Sequence, residues 1–111
     1  MISDEELETR IFKKLQFLSQ TDEECAQLEV DTLTAKKALE AILDAVFLSE
    51  SGTVDERKAK ARQSFAYQDA DKHYLACELE WKKVKYARST ADIAVSAIQS
   101  VMRNRNQGRV T

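Results

Sequence analysis

The sequence has almost none of the residues that divide a chain into turns and strands. Its 111 residues include no proline and only two glycines, Gly52 and Gly108. Glycine and proline are the main local turn formers, so a chain with so few of them is expected to be nearly all helix. Aromatic residues make up 7% and charged residues 32% of the chain, which is typical of long solvated helices rather than of a compact α/β enzyme.

Residue types that carry chemistry are equally sparse. The chain has two cysteines, Cys25 and Cys77, and a single histidine, His73, without the spacing of a metal site or a redox pair. Glu78 and Glu80 lie on different faces of a helix and cannot share a proton. The sequence also has no glycine-rich phosphate loop. We therefore predict that the protein is not an enzyme and uses no cofactor and no metal.

Long apolar segments are also missing. We expect neither a signal peptide nor a membrane span, because no apolar run is long enough for a bilayer. The small number of cysteines favours a reducing compartment. The sequence thus predicts a cytoplasmic protein, in the host cytoplasm if a phage encodes it.

The net charge of −2 hides an uneven distribution. Residues 1–50 carry twelve acids and five bases, a balance of −7. Residues 51–111 carry seven acids and twelve bases, a balance of +5. The basic half favours an anionic partner, whereas the acidic half would suit a protein that imitates nucleic acid.

The strongest pattern is a heptad repeat in the second half. Seam residues alternate at spacings of four and three, and only Arg88 breaks their apolar character. A seam this regular requires a partner helix. Two alternatives stay open for Arg88: it pairs with an acid on that helix, or its stem extends outwards to solvent. The seam consists of Ala70, Tyr74, Cys77, Trp81, Val84, Arg88, Ala91, Val95, Ile98 and Met102.

The first half supplies a matching apolar series. A capping box at Ser3 and Glu6 predicts the helix start, and Thr21 with Glu24 would form another box if the helix breaks near 19–24. The series consists of Leu7, Ile11, Leu15, Leu18, Cys25, Leu28, Thr32, Ala35, Leu39, Ile42 and Val46.

The segment 50–53 is the one clear turn. Gly52 can adopt the backbone conformation that ends a helix, and Thr53 with Glu56 predicts a capped helix start. A second soft spot is expected at 64–69. We predict an all-α, long antiparallel helical hairpin that is coiled-coil-like and forms one helical domain over residues 1–111. Its parts are arm one at about 4–49, the turn 50–53, arm two at about 54–104 and a frayed tail 105–111.

Folding the chain at this turn sets the expected register. Facing residues have numbers that sum to about 102, so Leu18 would face Val84 and Cys25 would face Cys77. Further apolar rows lie off the seam and predict a homo-oligomer; the alternative is a four-helix monomer. These rows are Leu75, Leu79, Tyr86, Ile93 and Ala97 in the second half, and Phe12, Val30, Leu33 and Phe47 in the first.

Clusters of bases beside aromatic rings favour binding of single-stranded nucleic acid. The rings are Phe65, Tyr67, Trp81 and Tyr86, although Trp81 lies on the seam and is expected in the core. The primary candidates near the turn are Lys36, Lys37, Arg57, Lys58, Lys60 and Arg62. The secondary candidates are Lys82, Lys83, Lys85 and Arg88. We expect Lys82 to be neutralised within the chain by the acids at 22–24.

Short motifs over residues 36–103 resemble the phage recombination mediator family (UvsY-like). The lysine-rich run of residues 36–44, Lys-Lys-Ala-Leu-Glu-Ala-Ile-Leu-Asp, precedes the turn Ser51-Gly52. Further matching segments are Thr53-Val54-Asp55-Glu56-Arg57, Asp69-Ala70-Asp71-Lys72, Glu80-Trp81, the run of residues 94–100 and Met102-Arg103. The chain departs from the family at Glu40 and Ile42, where the family has bases.

The resemblance implies a small, helical, ring-forming and non-enzymatic protein of phage DNA replication and recombination. Such a mediator binds single-stranded DNA and assists loading of a recombinase onto strands coated by single-strand-binding protein. Two alternatives stay open: a phage-encoded protein-binding inhibitor of a host nuclease or defence system, and a structural coiled-coil assembly protein.

Overall fold

The computed structural model describes residues 1–110, with side chains for residues 1–108. The described residues form three helices and no strand: α1 (Asp4–Ser49), α2 (Val54–Gln63) and α3 (Phe65–Val110). The predicted all-α fold is confirmed, and the chain reverses at the predicted turn.

Helix α1 starts at the predicted cap and has no break. The Ser3 hydroxyl accepts the backbone N–H of Glu6 at 3.2 Å. The predicted first arm at about 4–49 is confirmed as one continuous helix, Asp4–Ser49, so the alternative of a break near 19–24 with a capping box at Thr21 does not occur. The Thr21 hydroxyl instead donates to the carbonyl of Phe17, four residues back, at 2.7 Å.

The turn at 50–53 follows the local sequence closely. Gly52 has a φ of +118°, a backbone conformation that residues with a side chain rarely adopt. Thr53 caps α2: its hydroxyl accepts the N–H of Glu56 at 3.2 Å, and the Glu56 carboxylate accepts the N–H of Thr53 at 3.4 Å. The predicted capping box is therefore confirmed with both of its hydrogen bonds.

The second arm is broken at the single residue Ser64. Its backbone is extended, with a ψ of 146°, and its hydroxyl donates to the carbonyl of Ala61 at 2.6 Å. The same hydroxyl accepts the N–H of Tyr67 at 3.2 Å, so Ser64 ends α2 and begins α3. The expected soft spot is thus a break between two helices.

Helix α3 extends further than predicted. It ends at Val110 and not near Asn104, so residues 105–110 are helical instead of frayed. Arg105 explains part of this extension, because its guanidinium donates to the Asp4 carboxylate at 2.9 Å. The predicted tail residue Thr111 lies outside the described residues.

The chain divides into two compact units. We call Met1–Cys25 with Lys83–Thr111 the terminal unit, and Ala26–Lys82 the turn unit. The buried residues of the terminal unit are Leu7, Ala91 and Val95, and those of the turn unit are Thr32, Ala35 and Ala61. The single domain over residues 1–111 stays a prediction.

The register in the terminal unit differs from the predicted one by one heptad. Arg105 bonds to Asp4, and Arg88 bonds to Thr21, so the numbers of facing residues sum to 109 in both pairs. The predicted sum of 102 would place Lys14 level with Arg88, two bases in one layer of the seam. An apolar heptad seam also matches itself after a shift of seven residues, so it does not distinguish these registers.

The shift changes the expected pairs. Cys25 lies level with Val84, and Leu18 lies level with Ala91 and not with Val84. Both cysteines are free and half-buried. The predicted facing of Cys25 and Cys77, which belong to different units, stays a prediction.

The seam itself is confirmed on α3, where all ten predicted residues from Ala70 to Met102 are buried or half-buried. On α1, Leu15 is exposed, and Lys14 and Thr21 take the half-buried seam positions. The core is thin, because the five buried apolar residues include three alanines: Ala35, Ala61 and Ala91.

Candidate nucleic-acid interface

All six primary candidates lie in the turn unit, but two of them stabilise the turn. The Arg57 guanidinium lies 4.2 Å from the centre of the Phe47 ring, and its Nε donates to the Phe47 carbonyl at 3.2 Å. Lys60 Nζ donates to the carbonyl of Ser51 at 3.2 Å and lies 4.0 Å from the Glu50 carboxylate. These contacts hold α2 against the end of α1, so Arg57 and Lys60 are only partly available to a ligand.

Lys58, Lys60 and Arg62 are exposed on α2, and Lys58 and Arg62 take no part in the contacts of Arg57 and Lys60 with the turn. Lys58 and Arg62 are four residues apart and therefore share one face of the helix. Phe65, the first residue of α3, follows across the break at Ser64 and is 83% exposed. We call Lys58, Arg62 and Phe65 the turn patch. It combines two cations with an unpaired aromatic face.

Lys36 and Lys37 are exposed on α1. After the hydrogen bonds from Tyr74 and Lys82, the charge of Lys36 contributes to lowering the pKa of the Glu78 carboxyl on α3.

The Glu78 carboxylate organises a local network on α3. Tyr74 Oη donates to it at 2.6 Å, and Lys82 Nζ donates to it at 3.0 Å. The Tyr74 hydrogen bond, then the Lys82 hydrogen bond, lower the pKa of Glu78, and the same hydroxyl bond raises the pKa of Tyr74. Lys82 is thus paired with Glu78 on its own helix, and the expected neutralisation by the acids at 22–24 stays a prediction.

Arg88 is a structural residue of the terminal unit. Its Nη1 donates to the Leu18 carbonyl at 2.6 Å and to the Thr21 hydroxyl at 2.7 Å, and its Nη2 donates to the Asp22 carboxylate. The expected acid on the facing helix is confirmed as Asp22. Of the other secondary candidates, Lys83 and Lys85 are exposed and Lys82 is half-buried.

A basic groove in the terminal unit was missed from the sequence. Arg10, Lys13 and Lys14 line it on α1. The lining residues that the structure describes on α3 are small or apolar: Ala94, Ala97 and Ile98. The signal was three bases within five residues, which the net charge of −7 over residues 1–50 concealed.

The aromatic rings divide by exposure. Trp81 and Tyr67 are half-buried on the seam face of α3, as expected for Trp81. Phe65 and Tyr86 are exposed. Base stacking is therefore open to Phe65 in the turn unit and to Tyr86 in the terminal unit.

No protein-family model, characterised protein or solved structure matches this chain. Among the described residues, no helix combines the length and the apolar character that crossing a bilayer demands.

Proposed function

We propose that this chain is a non-enzymatic accessory protein of DNA recombination that binds single-stranded DNA, like the phage mediator family it resembles. The observation that carries the proposal is the turn patch, where Lys58 and Arg62 are exposed on α2 and Phe65, the first residue of α3, is 83% exposed. Lys36 and Lys37 add a second exposed basic site in the same unit.

Cations and aromatic rings contribute to the binding of a single strand in different ways. Cations that replace condensed counterions along the strand give affinity without sequence preference. An exposed ring stacks on any base and adds about 1–3 kcal/mol per base. The turn patch supplies both features within a few residues.

A patch of two cations and one ring is weak in a single chain. Several copies on one strand multiply such contacts, because later contacts form within an already tethered complex. The proposal therefore includes a homo-oligomer. Its expected protein partners are a recombinase and a single-strand-binding protein.

The test measures binding of the full chain to a labelled single-stranded oligonucleotide by fluorescence anisotropy at several salt concentrations. The double variant Lys58→Gln/Arg62→Gln removes two exposed cations from the turn patch. We expect weaker binding and a salt slope reduced by about 1.4, which corresponds to two lost phosphate contacts.

The matched control is Arg10→Gln/Lys13→Gln, which removes the same charge from the basic groove. Binding by this control is expected to stay within about twofold of the unmodified chain, apart from a small general charge effect. A larger loss in the control than in the turn-patch variant would move the site to the groove. Absence of binding at low salt would refute the proposed function.

A second candidate, a structural coiled-coil assembly protein, is favoured by the exposed apolar surface. Exposed large side chains occur in both units, among them Phe12, Tyr86 and Ile93 in the terminal unit and Val30, Leu33 and Leu79 in the turn unit. This candidate predicts self-association with no affinity for oligonucleotides. The anisotropy measurement distinguishes the two.

A further inference from the structure

Helix α3 carries a second apolar row directly opposite its seam. Leu79, Tyr86 and Ile93 recur every seven residues, and they are 55%, 61% and 67% exposed. Leu75, 53% exposed, and Ala97 flank the row. We call these five residues the back row. All five residues are exposed, Leu75 and Leu79 in the turn unit and Tyr86, Ile93 and Ala97 in the terminal unit.

The back row is symmetric about Tyr86. Leu79 and Ile93 lie seven residues before and after it, and Leu75 and Ala97 lie eleven before and after it. If a second α3 lies antiparallel across the row, Tyr86 meets itself, Leu79 meets Ile93, and Leu75 meets Ala97. Each layer then receives apolar residues from both helices, and the large Leu75 is matched by a small residue.

The positions of two lysines also favour the antiparallel arrangement, with Lys82 already paired to Glu78 on its own helix. Lys82 and Lys83 flank the row between Leu79 and Tyr86. A parallel pair in register would bring four lysines to one level. In the antiparallel pair these lysines lie beside Ser89 and Thr90 of the second copy, and the two lysine pairs are separated by about 10 Å along the axis.

The size of the row suits a second copy. Its side chains expose on the order of 500 Å² of apolar surface, so pairing two copies removes on the order of 1,000 Å², where specific interfaces begin. The largest apolar patch on a typical monomer has about this size and is often functional. We propose that two copies of this chain associate through their back rows, with α3 antiparallel to α3 and Tyr86 at the two-fold axis.

This proposal supplies an interface for the oligomer of the proposed function, but it does not require DNA binding. Its test therefore contains no nucleic acid. Failure of dimerisation contradicts the back-row interface, whereas failure of oligonucleotide binding contradicts the proposed function alone.

The first experiment compares Leu79→Asp with Val30→Asp by sedimentation equilibrium. Leu79 on α3 and Val30 on α1 are both 55% exposed, so a carboxylate is solvated equally well in the monomer. We expect Leu79→Asp to raise the dimer Kd about 30-fold or more, and Val30→Asp to leave it within about threefold. A monomeric unmodified chain, or a larger effect of Val30→Asp, would overturn the proposal.

The second experiment uses single cysteines in a Cys25→Ala/Cys77→Ala background, under mild oxidation. Tyr86→Cys is expected to form a disulfide-linked dimer, because residue 86 faces its own copy. The Leu79→Cys variant alone is not expected to form such a dimer. The two copies of residue 79 would lie about 21 Å apart along the axis, which is too far for a disulfide. Mixing Leu79→Cys with Ile93→Cys is expected to restore a cross-linked dimer.

A dimer formed by Leu79→Cys alone would show parallel pairing and overturn the arrangement. Absence of the Tyr86→Cys dimer would do the same. Circular dichroism of each variant identifies any loss of helix, and the cysteine variants keep the test independent of the charged substitution.

Discussion

Polar contacts stabilise each of the two units internally, but the separation of the paired residues along the sequence differs between the units. In the terminal unit, Arg88 bonds to Asp22 across 66 positions, and Arg105 bonds to Asp4 across 101. In the turn unit, the polar contacts join near neighbours, such as Arg57 with Phe47 and Thr53 with Glu56. This difference indicates that a turn is specified by adjacent residues, whereas the register of a long seam depends on a few polar side chains.

The largest loss of stability is expected when the hydrogen bonds from Arg88 to α1 are removed. Arg88→Ala removes three hydrogen bonds and the packing of a half-buried stem, so the free energy of unfolding should fall by about 2–3 kcal/mol. Urea unfolding followed by circular dichroism measures the change. Arg103→Ala, an exposed base on the same helix, is the control, and an equal loss there would contradict the role of these hydrogen bonds.

Arg88→Leu tests whether Arg88 selects the register of the seam. An apolar residue at this layer restores packing but no longer excludes the register that aligns it with Lys14. We expect stability close to that of the unmodified chain, with a mixture of two registers one heptad apart. Broadened or doubled amide NMR signals would show the mixture, and a single unshifted set would contradict it.

The next effect concerns packing in the turn unit. Ala61 is fully buried, so Ala61→Leu forces a larger side chain into the α2 contact. The expected destabilisation is about 2 kcal/mol. Ala59→Leu is the matched control, because residue 59 is exposed on the same helix. Thermal unfolding that ranks the two variants equally would show that α2 is not packed as described.

A smaller effect is expected at the cap of α2. Thr53→Ala removes the hydroxyl that accepts the N–H of Glu56, which should cost about 1 kcal/mol. Thr34→Ala, an exposed position inside α1, corrects for the loss of a threonine. Hydrogen exchange at the first amides of α2 should accelerate in Thr53→Ala only.

The smallest effect is a pH dependence at Glu78. Its pKa is lowered from 4.5 mainly by the Tyr74 and Lys82 hydrogen bonds. The stability that the ionised Glu78 side chain contributes is therefore fully present above pH 4.5. It is lost as the pH falls through the lowered pKa of the folded chain. In Glu78→Gln, the melting temperature should depend less steeply on pH below 4.5. Glu29→Gln serves as the control, and an unchanged slope in Glu78→Gln would contradict the network.

Local patterns allowed much of the fold to be predicted. Thr53, Glu56 and Gly52 carry the turn within five residues, and all ten residues that the heptads on α3 predict from Ala70 to Met102 are buried or half-buried. The register could not be read from the apolar pattern, which repeats every seven residues. The clash between Lys14 and Arg88 was the one signal against the wrong register.

The candidate site was only partly predictable for a related reason. Arg57 and Lys58 are neighbours of the same charge, yet Arg57 lies over Phe47 whereas Lys58 is exposed. That division depends on how α2 packs against the end of α1, which sequence spacing does not reveal. The basic groove at Lys13 was hidden because surrounding acids dominate the charge balance of the first half.

The central claim is that α1 and α3 pair in the terminal unit in a register whose residue numbers sum to 109. Disulfide trapping in the Cys25→Ala/Cys77→Ala background tests it directly. The pair Leu18→Cys/Ala91→Cys is predicted to form an intramolecular disulfide in nearly all molecules, whereas Leu18→Cys/Val84→Cys stays reduced because its residues lie about 10 Å apart along the axis. Efficient closure of the 18–84 pair, with the 18–91 pair left reduced, would contradict the register.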